Sequence, residues 1–192
     1  SEGLPETFCS YHKAFIGAAE SGLMPKPRFI LSTTLACDAN TLTFRRLADH
    51  FRVPHFVLDI PYEQTEESVR DVAAQLREMK RFIEDHTGKS IDEAALRATV
   101  ACSQRSMANF HNYMSLRADK QILDSLTGEM YTGFMFHNLL GSEETERYSE
   151  ECLRVAEQAP AASGIRLLWM HTNPFWVEPL RKLTDFNPKV QI

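Results

Sequence analysis

Two short apolar segments, Arg28–Thr34 (RFILSTT) and His55–Ile60 (HFVLDI), are bounded by prolines: Pro25 and Pro27 before the first, Pro54 and Pro61 around the second. Proline has no N–H for a ladder and ends regular structure, so it limits segments that are otherwise branched and apolar enough to be strands covered on both faces. Between them, within residues 40–51, Leu42, Phe44, Leu47, Ala48 and Phe51 recur at helical spacing and define one apolar face. A strand, an amphipathic helix and a second strand in this order predict a crossover unit with parallel strands, and hence an α/β chain.

From Thr65 onward, Val69, Val72, Ala73, Leu76, Met79, Phe82 and Ile83 repeat at three and four residues. With Glu66 and Glu67 in the first turn and Gly88 past the last, they predict a long amphipathic helix. Ser90-Ile91-Asp92-Glu93 has the form of a capping box and predicts a second helix through Leu96, Val100, Met107 and Phe110 towards Leu116. Residues 127–140 (TGEMYTGFMFHNLL) are apolar and aromatic but carry Gly128 and Gly133, so a short buried helix with close contacts is expected. Glu143–Gln158 reads as a further helix, Arg166–Thr172 as a strand, Pro174–Leu183 as a helix and Lys189–Ile192 as the first residues of another strand. The division expected is residues 1–163, an α/β domain with a long helical insertion and incomplete at its amino terminus, then residues 164–192, the start of a second α/β domain. Ser1 in place of an initiator methionine, and a chain stopping just after a turn, are expected of a piece of a longer protein.

The net charge of −5 comes with no stretch in which Lys and Arg interleave with aromatics, so nothing would neutralise a run of phosphates, and nucleic acid is not an expected partner. No apolar run approaches the roughly 18 residues of a membrane span, and no charged leader precedes an apolar segment, so a cytoplasmic site with no membrane partner is expected. In that reducing compartment Cys9, Cys37, Cys102 and Cys152 are free thiols or ligands rather than disulfides. The sequence has no GxGxxG after a strand, and no GxxxxGK[ST], HExxH or GxSxG, which removes the usual support for dinucleotide, P-loop, zincin and α/β-hydrolase chemistry. Carboxylates on the helix after Thr65 alternate with Arg70, Arg77, Lys80 and Arg81 as a solvated face does.

Cys37 follows the first strand at its carboxyl end and leads through Asp38 and Asn40 into a helix, which is where open parallel sheets place their sites. The helix dipole and free N–H groups favour a thiolate there, the form that attacks or ligates metal. An isolated cysteine at a strand end is nonetheless more often a buried, inert packing residue. Cys9, between Phe8 and Ser10-Tyr11-His12-Lys13, also stands where a loop enters a helix, and one crossover could bring the two together. Their wide spacing is neither a zinc-ribbon nor a ferredoxin pattern. Cys102 and Cys152 fall inside helical patterns and read as packing residues. Of the histidines, His50, His55 and His86 lie at element ends, whereas His12, His137 and His171 are the ones that could line a site; for His171, before Asn173-Pro174, a hydrogen-bonded turn role is the commoner one.

Taken in order, Cys9-Ser10-Tyr11 with Lys13, a proline-rich approach to a strand, Thr33-Thr34-Leu35-Ala36-Cys37-Asp38, Phe56–Pro61 (FVLDIP), Glu84–Glu93 (EDHTGKSIDE) and Arg166-Leu167-Leu168-Trp169 resemble the 2-hydroxyacyl-CoA dehydratase and benzoyl-CoA reductase superfamily, of the 2-hydroxyglutaryl-CoA dehydratase D-component type. The likeness spans nearly the whole chain. It implies a Rossmann-like parallel sheet flanked by helices, in subunits longer than this chain that pair with a homologous second dehydratase subunit. It also implies a 4Fe-4S cluster held by three cysteines, of which Cys9 and Cys37 would be two and the third would lie outside this chain, so that the fragment alone is expected to be inactive. An ATP-dependent activator protein would deliver one electron, and the thioester carbonyl of an (R)-2-hydroxyacyl-CoA would become a ketyl radical that loses its hydroxyl to give a 2-enoyl-CoA. An iron with no protein ligand would act as a Lewis acid on substrate oxygen.

Benzoyl-CoA reductase uses similar subunits and is one alternative; a cluster-free scaffold or CoA-binding module is another. A zinc site of Cys9, Cys37 and a histidine such as His12 is a third. The cluster reading carries a geometric expectation, that the sulfurs of Cys9 and Cys37 lie near one another at the carboxyl-terminal edge of the parallel sheet.

Overall fold

The computed structural model describes residues 6–35, 37–170 and 173–192. Its packing divides the chain into two compact units, Ser1–Ile91 and Asp92–Ile192. The first contains α1 (Ser10–Glu20), β1 (Ile30–Thr33), α2 (Asp38–Phe51), β2 (His55–Leu58) and α3 (Glu66–Thr87). β1 and β2 pair in parallel, with Ile30 opposite His55 and Thr33 opposite Leu58, so α2 is the crossover that the alternation of strand and helix predicts.

Side-chain alternation along the strands decides which helix covers which face. Ile30 is buried with Ala19 of α1 and with Leu47 and Ala48 of α2, and Phe15, Phe44, Phe51 and Val53 close around them. On the other face, Phe29 and Phe56 each bring their ring to 5.5 Å from that of Phe82 in α3. Burying an aliphatic side chain of this size contributes about 1.5–3 kcal/mol, so the small cluster around Leu47 is the main anchor of α2.

The buried stripe of α2 differs from the sequence expectation at one position. Leu42 is 59% exposed, while Thr43 is fully buried. With Leu47 and Ala48 turned inward, the residue one turn ahead of Leu47 is Thr43, and its hydroxyl is satisfied by the ring of His12. α3 begins where Thr65 Oγ1 accepts the Ser68 N–H and ends on Gly88 at φ 69°, a left-handed conformation that glycine adopts without steric cost. Its apolar stripe is only half covered: Val69 and Leu76 are exposed.

The second unit contains α4 (Glu93–Leu116), α5 (Leu126–Asn138), α6 (Glu143–Gln158), β3 (Ile165–Arg166), α7 (Glu178–Thr184) and β4 (Val190–Gln191). α4 packs along α6, with Tyr113, Ile122 and Ala156 buried among Phe110, Leu116 and Cys152. Arg105 of α4 forms an ion pair with Glu146 of α6. The cap of α4 is Asp92, whose carboxylate accepts the Ala95 N–H at 2.7 Å, and not Ser90, so the expected capping box gives way to a simple N-cap two residues later. The close contact expected in α5 exists at Gly128, where a Cβ would fall 2.1 Å from Asp124 Oδ1, but Gly133 faces open space.

The strand expected over 166–172 is reduced to Ile165 and Arg166, paired in parallel with Val190 and Gln191; Leu167 N–H still donates to Gln191 O at 2.8 Å, residues 168–170 lie outside the strand, and His171 and Thr172 lie outside the described residues. The helix expected from Pro174 begins at Glu178. Residues 173–177 instead form turns in which Phe175 N–H donates to Asn173 O and Val177 N–H to Pro174 O, and Pro179 sits in the first helical turn, where its missing N–H costs nothing. Gly164, the boundary expected from sequence, falls within the second unit. No helix among the described residues is long and apolar enough to cross a membrane.

Two predictions follow from this packing. Leu47→Ala should destabilise the first unit by about 2–5 kcal/mol, and Leu42→Ala by less than about 0.5 kcal/mol, as read by denaturant unfolding; similar losses for both would mean α2 is rotated from the position described. The Arg105 guanidinium, with the Cys102 thiol second, holds the Glu146 carboxyl at about 2, below its ordinary 4.5. Its contribution to stability is therefore complete above about pH 4.5 and is lost as pH falls towards 2. A carbon-13 titration should place the Glu146 midpoint near the lower value, and Arg105→Ala should return it towards the ordinary range.

Candidate functional site

The chain leaves β1 at Thr33, and Thr34 and Leu35 are tied to the strand ends. Leu35 N–H donates to Thr33 Oγ1 at 3.2 Å. Thr34 Oγ1 donates to Asp59 Oδ1 at 2.9 Å and accepts the Ile60 N–H at 2.9 Å, which joins the carboxyl ends of the two strands. Gln75 of α3 then holds the Asp59 backbone from both sides, accepting its N–H at 2.8 Å and donating to its carbonyl at 2.9 Å. The Leu-Asp-Ile-Pro run seen in the sequence is thus the part of the edge that α3 clamps.

Cys37 is the N-cap of α2 and Cys9 the N-cap of α1. Neither sulfur caps its own helix, and both residues are exposed. Helix α1 runs alongside α2 in the same direction: His12 meets Thr43, Phe15 lies 6.1 Å from Phe44 ring to ring, and Glu20 pairs with Arg46 at 2.6 Å. Contacts that advance together along both helices put both amino termini at one end, the carboxyl-terminal edge of the β1–β2 sheet. Two helix N-termini bring the positive ends of two dipoles to that edge.

His12 joins the two elements. It is 5% exposed, its Nδ1 lies 3.1 Å from Thr43 Oγ1, and its Nε2 lies 3.8 Å from Cys37 Sγ. Phe8 and Tyr11 flank the ring at 5.7 and 5.4 Å. The sequence marks His12 through its place three residues after Cys9. It does not mark Thr43; the signal available was a polar residue one turn ahead of Leu47, within the apolar stripe of α2.

The remaining candidates lie elsewhere. Cys102 is buried and its thiol donates to Ser142 O at 3.3 Å; hydrogen bonding to the Glu146 carboxylate, followed by burial, pushes its pKa up. Burial does the same for Cys152 in the second core. His137 is exposed in the last turn of α5, His86 bonds the Phe82 carbonyl through Nδ1 at 2.7 Å, and His55 shares a 2.8 Å hydrogen bond with Ser32. His171 lies outside the described residues. Among the described residues, no group of three or more His, Cys, Asp or Glu is arranged to hold a metal ion.

Comparison with known proteins agrees with the order of motifs along the chain. The family described as 2-hydroxyglutaryl-CoA dehydratase, D-component, matches residues 1–192, and the chain belongs to that family. It is similar to the (R)-phenyllactyl-CoA dehydratase alpha subunit of Clostridium sporogenes, at 26% identity over 95 residues that make up 47% of this chain and 23% of that protein.

Exposure separates the thiols into two pairs. Under native, reducing conditions an alkylating reagent should modify Cys9 and Cys37 at least about tenfold faster than Cys102 and Cys152, with all four reacting alike after denaturation. Mass-spectrometric mapping over time reads the order, and early labelling of Cys102 would contradict the packing of α4 on α6.

Proposed function

We propose that the chain is the part of a 2-hydroxyacyl-CoA dehydratase subunit that presents Cys9 and Cys37 to a 4Fe-4S cluster. The observation that carries this reading is the pair of exposed thiols at two helix N-caps on one edge of a parallel sheet, in a chain that matches a dehydratase family over its whole length. The donors fit such a cluster in kind, since thiolates are its ligands. Two sulfurs do not complete a set of three, so in this reading a further cysteine of the complete subunit joins them.

When bound, the cluster supplies one electron and a Lewis-acidic iron for the thioester of an (R)-2-hydroxyacyl-CoA, and the net reaction is loss of water to give a 2-enoyl-CoA. The chain's own residues hold the site. Cys9 and Cys37 would hold the cluster, the two helix N-termini would stabilise negative charge on their sulfurs, and the Thr34, Asp59 and Gln75 bonds fix the sheet edge from which the chain runs to Cys37. A second subunit, as the words alpha subunit in the name of the Clostridium relative indicate for that protein, here taken as homologous to this one, and an ATP-dependent activator complete the cytoplasmic system.

The test uses the full-length subunit with its partner and activator, reconstituted anaerobically with iron and sulfide. Cys9→Ser and Cys37→Ser should each abolish most of the cluster absorbance and lower the dehydration rate roughly 100-fold or more, while Cys102→Ser and Cys152→Ser leave both in place. A double Cys9/Cys37 variant that keeps its cluster, or a wild-type protein that binds none, defeats the proposal.

A further inference from the structure

The hydroxyl of Thr43 is used in an unusual way for a helix. Serine and threonine hydroxyls inside helices commonly donate to the carbonyl four residues back, and here Thr87, Thr99, Ser103, Ser106, Ser115 and Thr184 all do so, at 2.7–3.0 Å. Thr43, though fully buried in α2, makes no such bond among the described residues and meets His12 Nδ1 at 3.1 Å instead. A buried hydroxyl proton needs an acceptor. The acceptor at hand is Nδ1, and a neutral imidazole that accepts at Nδ1 carries its proton on Nε2. Nε2 in turn lies 3.8 Å from Cys37 Sγ.

We propose that His12 is a positioning residue for Cys37: oriented by the Thr43 hydroxyl, it donates Nε2–H to the Cys37 sulfur and makes the group that this sulfur holds easier to reduce. This rests on the reading of Cys37 as a cluster ligand. Hydrogen bonds to ligand sulfurs are among the factors that set the potential of an iron-sulfur cluster, because they stabilise the negative charge that reduction adds. The packing keeps the donor in place, since His12 is buried against Tyr11 of its own helix and Phe8 just before that helix, and reaches Thr43 on the other. The same geometry opposes His12 as a metal ligand. Ligation through Nε2 would put the proton on Nδ1, where Thr43 would have to accept it and turn its own hydroxyl proton away from the ring it now faces.

The experiment has a metal-free arm and a loaded arm, both on the full-length subunit, the second with its partner subunit present. In metal-free protein labelled with nitrogen-15 histidine, the ring shifts of His12 should show the Nε2–H tautomer, with the preference lost in Thr43→Val and kept in Thr43→Ser. After anaerobic reconstitution, Thr43→Val and His12→Leu should keep the iron content and circular dichroism of the wild type but shift the cluster to a more negative midpoint potential, and His12→Gln, which retains an N–H donor, should recover most of the shift. If His12→Leu does not fold, the Thr43→Val and Thr43→Ser pair carries the comparison. An Nδ1–H tautomer, or potentials equal in all variants, overturns the role of His12 while leaving the cluster reading intact. A wild-type subunit with no cluster dependent on Cys9 and Cys37 overturns that reading instead, and the tautomer measurement stands independently of it.

Discussion

The side-by-side, same-direction packing of α1 on α2 is the constraint from which the site follows. Ala19, Leu47 and Ala48 hold the two helices together over Ile30, and the small size of two of these residues permits the close approach. Because the helices point the same way, their N-caps arrive together, and both N-caps are cysteines. An antiparallel arrangement of the same two helices would leave Cys9 and Cys37 separated by the length of α2, roughly 20 Å. Parallel neighbours also place like dipole ends together, at a small electrostatic cost.

The edge needs a fixed loop as well as a favourable field. Thr34, Asp59 and Gln75 supply this by joining the carboxyl end of β1 to that of β2 and both to α3, so the turn into Cys37 starts from a braced position. His12 adds a second brace from the opposite side, through Thr43. The second unit makes different use of its polar groups. Its thiols at Cys102 and Cys152 are covered and shifted towards the protonated form, and its buried Arg117 is satisfied by Tyr113 and Glu129 rather than directed outward.

Much of this was legible in the sequence where one local rule dominates. Proline boundaries located β1 and β2, and apolar periodicity located α2, α3, α4 and α6 to within a few residues. The two cysteines at loop-to-helix junctions were visible for the same reason, since helix starts leave a clear residue signature. Reading failed where tertiary contacts override a local signal. Thr43 displaces Leu42 from the buried stripe because a partner on another helix satisfies its hydroxyl. Ser90 yields the cap to Asp92 because either residue can accept and only the final register chooses between them. The 166–172 segment has the composition of a strand, yet only the two residues that find a partner in β4 form one. The parallel direction of α1 relative to α2 was not readable at all, since hydrophobic periodicity gives a face but no direction.

The shared location of the two N-cap thiols is the claim on which the rest stands, and a short bis-maleimide, which alkylates one thiol at each end, tests it directly. In protein carrying Cys102→Ser and Cys152→Ser, a reagent spanning about 8–10 Å, the separation of packed helices, should join Cys9 to Cys37 in native conditions and fail to do so in denaturant. Native protein in which both thiols react singly with the reagent and are never bridged would contradict the account.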